Sequence, residues 1–407
     1  MRLTLLNQFY APDISPTAQL AASLAEHRAE RGDDVTIVTG RAGYLEGRLA
    51  ARRSSTPRLR VRRVWTPDLG KSSLARRLLG YATFSLGSTA RLVLLPRQDV
   101  IVSMTTPPFV VVAAVLHKLL HPGTRVVLWS MDCYPDAAER FGELATGGLP
   151  SRLLRRLNRW LFARVDAVVA LDGAMAELLS SQYASASDRP PVTVIPNWER
   201  RALFPSPALP RPTWPGYAPL RTEGRAVVVY LGNTGVGHRF DTVLDAAAEL
   251  GDEALFLFVG GGARWDDLAG AVDERGLTNV VLHSYVPKED TPAVMAGADG
   301  ALITLDDRAL GVMSPSKLHA NLAAGLPVLY VGPAGSNVDE AIVAHGCGTS
   351  VREGDPAALV TAVRGLRADP EARQRARAAF EAAYCDDATL PAFDALLDRV
   401  VSGPGSG

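Results

Sequence analysis

Lysine is scarce in this 407-residue chain: Lys71, Lys118, Lys288 and Lys317 are the only four among 43 basic residues. One of them, Lys317, stands in the stretch Gly311-Val312-Met313-Ser314-Pro315-Ser316-Lys317-Leu318-His319-Ala320-Asn321-Leu322-Ala323-Ala324-Gly325-Leu326-Pro327. Ser314 reads as an N-cap, Pro315 as the first helical residue and Gly325 as the stop, with Pro327 opening a strand. The free amides and dipole at such a helix start attract an anion, and a first-turn lysine strengthens the attraction. Capping alone describes any ordinary helix, so two further loops matter. Val229-Tyr230-Leu231-Gly232-Asn233-Thr234-Gly235-Val236-Gly237-His238-Arg239 puts three glycines directly after a predicted strand. Backbone can approach a ligand closely there, and Arg239 can reach a phosphate. The spacing of Gly232, Gly235 and Gly237 is not the dinucleotide fingerprint. Val259-Gly260-Gly261-Gly262 follows another strand at the same edge. Together the three loops point to a diphosphate-bearing ligand.

The elements that must position these loops alternate short apolar runs with longer helical stretches, as parallel βαβ units do. In the first half the strand candidates are Leu3–Leu6, Val35–Thr39, Leu59–Val64, Val100–Ser103, Val126–Trp129, Ala167–Ala170 and Thr193–Ile195. A helix is expected over Thr17–Arg31, with Leu20, Leu24 and His27 on one stripe and Gly32 as its stop. Pro205, Pro207, Pro210, Pro212, Pro215 and Pro219 forbid a helix or central strand, which places a linker at 205–219 between a domain at 1–204 and one at 220–385. Strands in the second half are expected at Ala226–Leu231, Ala254–Val259, Val280–His283, Gly300–Thr304 and Pro327–Val331. The tail from about Pro370 to Val400 is helical in pattern. Residues 386–407 are expected as a C-terminal helix packing back towards the first domain, with a flexible end from Ser402. The result is an α/β chain of two doubly wound domains, whose ligand-binding strand ends would face one central cleft.

Composition narrows the classes. Hydrophobic residues make 47% and charged residues 21%, ordinary for a globular protein with a full core. Acids and bases balance at 43 each, so no global field marks a nucleic-acid binder. Cys133, Cys347 and Cys385 lack ligand-like spacing, and Asp306-Asp307 is not an Asp-X-Asp that would hold a cation on a diphosphate; no metal is expected. Leu3–Leu6 is too short for a signal-peptide core, and Val110–Leu116 falls well below a membrane span, so a cytoplasmic protein is expected.

The order and spacing of several motifs resemble the family 4 glycosyltransferases of the GT-B fold, nearest the bacterial branch that builds surface polysaccharides. The resemblance spans nearly the whole chain. It rests on Asn7-Gln8-Phe9-Tyr10-Ala11-Pro12, Ser103-Met104-Thr105-Thr106-Pro107-Pro108, Met131-Asp132-Cys133-Tyr134-Pro135-Asp136, Ile195-Pro196-Asn197-Trp198, Gly232-Asn233-Thr234-Gly235, Pro315-Ser316-Lys317 and Ala323-Ala324-Gly325-Leu326-Pro327-Val328. It implies two Rossmann-like domains and a retaining transfer from a nucleotide-diphosphate sugar, without metal, cofactor or covalent intermediate. The donor would lie on the second domain, at Gly232, Asn233, Gly235, Gly260, Gly262, Ser314, Ser316, His319 and Asn321, with Tyr285 and Val286 of the loop Ser284-Tyr285-Val286-Pro287 beside the base. Lys317 and Arg239 would stabilise the leaving diphosphate. Pro12, Ser15, Thr105 and Asp132 would lie on the acceptor side, although Asp132 is equally readable as a plain loop aspartate. The acceptor would be a glycan, a lipid-linked saccharide or a small molecule.

Two departures stand out. The family's two glutamates, eight positions apart, align with Val312 and Ala320, neither of which can hold ribose through a side-chain hydrogen bond. His319, Asn321 or Asp307 could substitute. Near the start, the family's glycine pair is replaced by Ser15-Pro16. The segment Leu74–Phe84 mixes arginine with large apolar residues. Arg152, Arg155, Arg156, Arg159 and Arg164 do so again among Leu153, Leu154, Leu157, Trp160, Leu161 and Phe162. Both suit an amphipathic helix on an anionic inner membrane face; a packed helix with a solvated arginine face explains them at least as well. An epimerase of the same fold and a non-catalytic sugar-nucleotide-binding partner also remain open, the latter because of the missing glutamates. The epimerase would need acid/base carboxylates and histidines in its cleft, and the chain has seven histidines.

Overall fold

The computed structural model describes residues 1–13, 15–41, 56–67, 74–183, 190–204, 213–220 and 223–403, without the side chains of Leu74, Ala75 and Lys288. The chain divides into Met1–Pro196 with Thr389–Gly407, and Asn197–Ala388. The division thus falls ahead of the proline-rich stretch expected as the linker, of which 205–212 lie outside the described residues.

In the first unit, buried apolar runs form β1 (Arg2–Leu6), β2 (Asp34–Gly40), β4 (Val100–Met104), β5 (Arg125–Trp129) and β6 (Ala167–Ala170), and the less buried β3 (Leu59–Val64) and β7 (Val192–Val194) close the two edges. The helices between them are α1 (Pro16–Glu30), α2 (Leu74–Val93), α3 (Val111–Leu120), α4 (Asp136–Arg140), α5 (Leu149–Phe162) and α6 (Gly173–Tyr183). All strands pair in parallel in the order β3-β2-β1-β4-β5-β6-β7. That order reverses between β1 and β4, and ligands of such sheets bind outside the carboxyl ends at the reversal.

The second unit repeats the plan. Its strands are β8 (Ala226–Asn233), β9 (Ala254–Gly261), β10 (Val280–His283), β11 (Gly300–Thr304), β12 (Val328–Val331) and β13 (Gly348–Val351), in the parallel order β10-β9-β8-β11-β12-β13. Its helices are α7 (Asp241–Leu250), α8 (Trp265–Glu274), α9 (Thr291–Ala296), α10 (Lys317–Ala323), α11 (Asn337–His345), α12 (Pro356–Gly365) and α13 (Ala372–Ala379). Phe256, Phe258, Tyr230, Val243 and Leu359 lie in one core cluster under α7 and α12. The reversal here falls between β8 and β11, so the loop after β8 starts at the switch point.

The final helix, α14 (Asp386–Ser402), belongs to the first unit from Thr389 onward. Phe393 packs on Trp129 with ring centroids 4.6 Å apart. Asp394 accepts from Arg28 at 2.6 Å and lies 2.8 Å from His27 on α1, while Arg28 also pairs with Asp33 at 2.7 Å. Arg28 is buried, so this pairing stabilises only while both carboxylates stay in place.

Every strand expected from the sequence is present, most with ends shifted by a residue or two. The structure adds β13 and corrects three helical expectations. The helix around Lys317 starts at Lys317, not Pro315, and its N-cap is Ser316, which makes no side-chain cap bond; Ser314 therefore caps nothing. The tail is not one helix, because a π-helical turn over Phe380–Tyr384 separates α13 from α14. Ser402, expected in the flexible end, closes α14, and residues 404–407 lie outside the described residues.

Candidate functional site

The loops after β8 and β9 interlock. A Cβ on Gly260 would sit 2.0 Å from the carbonyl oxygen of Gly232, and one on Gly262 would sit 2.2 Å from Asn233 Oδ1. Gly262 also has φ +139°, so both close approach and backbone conformation demand glycine. Backbone bonds from Thr234 to Gly261 at 2.8 Å and from Arg264 to Thr234 at 2.9 Å lock the two turns together. Tyr285 donates its hydroxyl to the Gly261 carbonyl at 3.1 Å and leaves its ring half exposed beside the turn. Val286 follows it, half-buried.

Lys317 reaches over this platform. Its Nζ donates to the Asn233 carbonyl at 3.0 Å, lies 3.3 Å from His238 Nε2 and stands 4.7 Å from the centre of the Tyr230 ring. A Cβ on Gly232 would meet Lys317 Cε at 3.7 Å, so the lysine stem runs across the glycine face. Among the described residues no carboxylate pairs with Lys317. Burial pushes its ammonium down to about 7.

His238 explains how the amine is aimed. Its Nδ1 lies 2.7 Å from the Thr304 carbonyl at the end of β11, an acceptor only, so Nδ1 carries the proton. Nε2 is then a bare lone pair facing the ammonium. Burial, followed by the Lys317 charge, lowers His238 to about 3 and keeps it neutral. In the sequence His238 stands in the glycine loop with no spacing that marks it as functional. The sole hint was an imidazole among residues that otherwise needed no side chain.

The remaining donor-side residues divide. Gly232, Asn233 and Gly260 close the paired ends of β8 and β9, and Gly235 and Gly262 lie in the turns beyond; Ser314 and Ser316 precede α10, Ser314 half-buried and Ser316 exposed. His319 is buried, its Nδ1 3.1 Å from the Ser316 carbonyl and its ring 5.7 Å from that of Tyr384, and burial lowers it to about 4. Asn321 is buried on the same helix. Val312 is fully buried, whereas Ala320 is partly exposed. Arg239 does not join the lysine cluster: its guanidinium is held by Asp241 at 3.3 Å and Glu353 at 3.5 Å.

In the first unit, Thr105 after β4 and Asp132 after β5 meet at the switch-point edge. Thr105 Oγ1 accepts from the backbone amides of Met131 at 2.9 Å and Asp132 at 3.2 Å. Burial raises the Asp132 carboxyl to about 6, far above an ordinary aspartate. Ser15 precedes α1 with its hydroxyl buried and unpartnered among the described residues, and its amide donates to Asp13 at 2.7 Å. Pro12 follows a cis peptide bond in the exposed part of the same turn. The described residues contain no cluster of three or more His, Cys, Asp or Glu able to hold a metal ion.

Two family models match: a glycosyl transferase 4-like domain over residues 17–198 and a glycosyl transferases group 1 domain over 225–369. The chain is 28% identical to the probable glycosyltransferase WbjE of Pseudomonas aeruginosa over 65% of its own length and 64% of that protein's. It is 25% identical to the putative colanic acid biosynthesis glycosyl transferase WcaI of Escherichia coli over 80% and 82% of the two chains. Among solved structures it resembles Anabaena HepE in complex with UDP-glucose, at TM-score 0.68 and 14% identity over 98% and 99% of the two chains.

Proposed function

The chain belongs to the GT-B glycosyltransferases that join a glycosyl transferase 4-like domain to a group 1 domain, and from that premise we propose that it is a retaining, metal-independent hexosyltransferase using a nucleotide-diphosphate sugar. The observation that carries the reading is Lys317: an ammonium without a carboxylate partner among the described residues, held over a glycine platform at the switch point of the second unit. Such a group matches a diphosphate on which charge develops as it leaves. Arg239 would have to give up two carboxylates to help, so Lys317 takes the main part. Tyr285 and Val286 would flank the base.

In the transfer, the bond from the anomeric carbon to the diphosphate oxygen breaks and a bond to the acceptor hydroxyl forms on the same face of the sugar. The acceptor proton passes to the departing phosphate oxygen. Asp132, with Thr105 beside it, would position the acceptor hydroxyl, and Ser15 and Pro12 would border it. No cofactor takes part. The acceptor is a glycan, a lipid-linked saccharide or a small molecule, and the work is done in the cytoplasm or at the inner face of the plasma membrane. The likeness to WcaI, a putative colanic acid biosynthesis glycosyl transferase, supports this class of product, and the UDP-glucose bound to HepE supports this class of donor.

The test is product analysis in EDTA. Transfer should continue undiminished, and proton NMR of the first-formed product should show the donor's anomeric configuration. Loss of activity restored by manganese, or an inverted product, would refute the mechanism.

A further inference from the structure

We propose that the outer side of α2, α3 and α5 in the first unit is a docking surface for an anionic lipid bilayer. The crossovers from β3 to β4, β4 to β5 and β5 to β6 all run the same way along the sheet. Right-handed connections therefore put these helices in one layer, on the face opposite α1. α2 packs on α3, and α3 on α5.

The solvent side of this layer is apolar where a free surface would be charged. On α2, Leu79, Ala82, Leu86, Ala90 and Val93 recur at helical spacing and all face solvent, Leu86 with 72% of its surface exposed. The opposite stripe, Phe84, Ser88 and Leu92, is the buried one. Leu94 just beyond α2 is 78% exposed, and Leu119 and Leu120 at the end of α3 are more than half exposed. On α5 the exposed stripe is Leu149, Arg152, Leu153, Arg156 and Trp160, while Ser151, Asn158, Leu161 and Phe162 face inward.

Basic charge is in excess on this layer, although Arg77 pairs with Glu143, Lys118 with Asp166, and Arg155 with Asp136 and Glu139 from adjoining segments. The chain as a whole is neutral, yet α2, α3 and α5 contain no aspartate or glutamate. From Leu69 to Met131 the only acid is Asp99, and from Leu144 to Val165 there is none. Among the described residues the side chains of Arg152, Arg156 and Arg159 have no hydrogen-bond or ion-pair partner. Interleaved arginines and large apolar residues fit the headgroup boundary, where leucines enter the acyl region and guanidinium groups meet lipid phosphates. A second copy fits poorly, because a two-fold pairing of this face would set arginine against arginine. No described helix is long and apolar enough to cross a membrane, so the attachment would be superficial.

The full chain should be sedimented with vesicles of phosphatidylcholine alone and of phosphatidylcholine doped with phosphatidylglycerol. Binding is expected to the doped vesicles only and should weaken with salt. The triple variant Arg152→Gln, Arg156→Gln, Arg159→Gln should bind roughly a hundredfold more weakly. The pair Leu86→Ser, Leu153→Ser should also lose binding, with its fold checked by circular dichroism; should that pair misfold, the arginine triple decides alone. Absence of binding, equal binding to neutral vesicles, or full binding by the arginine triple overturns the proposal. So does a vesicle-free dimer that Leu153→Ser dissolves, since a second copy would then be the occupant. Vesicle binding is read without sugar transfer, so either proposal can fail without the other.

Discussion

Lys317 and His238 form a unit: the lysine's charge adds to burial in keeping the imidazole neutral, and the imidazole faces the amine with its bare Nε2. The bare Nε2 and the Asn233 carbonyl hold the amine in place without neutralising it. A lysine depressed to about 7 is charged below that pH and loses its proton above it. A bound diphosphate favours the ammonium and raises its pKa, so binding at pH 8 should be accompanied by proton uptake and should weaken as pH rises from 6 to 8. Calorimetry in buffers of different ionisation enthalpy measures both; proton release, or affinity flat across that range, would contradict this role. The ribose end makes a separate prediction. Ala320, where the resemblance expects a glutamate, is partly exposed and offers no side-chain acceptor, and Val312 is buried. A site without a polar group to leave unpaired discriminates weakly, so ribose and 2′-deoxyribose nucleotides should bind with affinities within about tenfold. A larger preference for ribose, removed by Asn321→Ala or His319→Ala, would show that a neighbour has taken over. Lys317 was legible because lysine is rare and the helix signal around it was strong. The cap was not: serine at 314 and at 316 fit the same rule, and only the backbone chooses between them.

The crossed glycine turns after β8 and β9 are the element on which the lysine rests. Their locations were readable, since glycine runs directly after apolar strands. Their mutual contact was not, because nothing in sequence spacing tells that Gly262 must admit the Asn233 side chain. Gly262→Ala should therefore cost about 2 kcal/mol or more, from the positive φ and the clash with Asn233 and Thr234. A fall in the thermal midpoint of about 4–8 °C, with lost nucleotide binding, is expected; a variant that melts and binds as the natural protein does would mean the turns are not rigidly paired. β13 escaped notice for a related reason. Gly348-Thr349-Ser350-Val351 is short, polar and exposed at two positions, and it is a strand only because β12 supplies its partner.

Across the whole chain, alternating strands and helices made both parallel sheets legible, and the motif order carried the family. Charge totals, by contrast, concealed more than they revealed. Equal numbers of acids and bases coexist with three helices of the first unit, α2, α3 and α5, that have no acid of their own, and topology brings them together. Prolines mark where regular structure stops, while the division by packing falls ahead of them, after Pro196. The proposed transfer requires a diphosphate held by Lys317. Titration calorimetry of UDP, GDP, ADP and dTDP against the natural protein and Lys317→Ala tests it most directly. At least one nucleotide should bind the natural protein, and the variant, with little change in melting temperature, should bind it about tenfold or more weakly, a loss of about 1.4 kcal/mol or more. Binding of none of the four, or equal binding by the variant, would contradict the account.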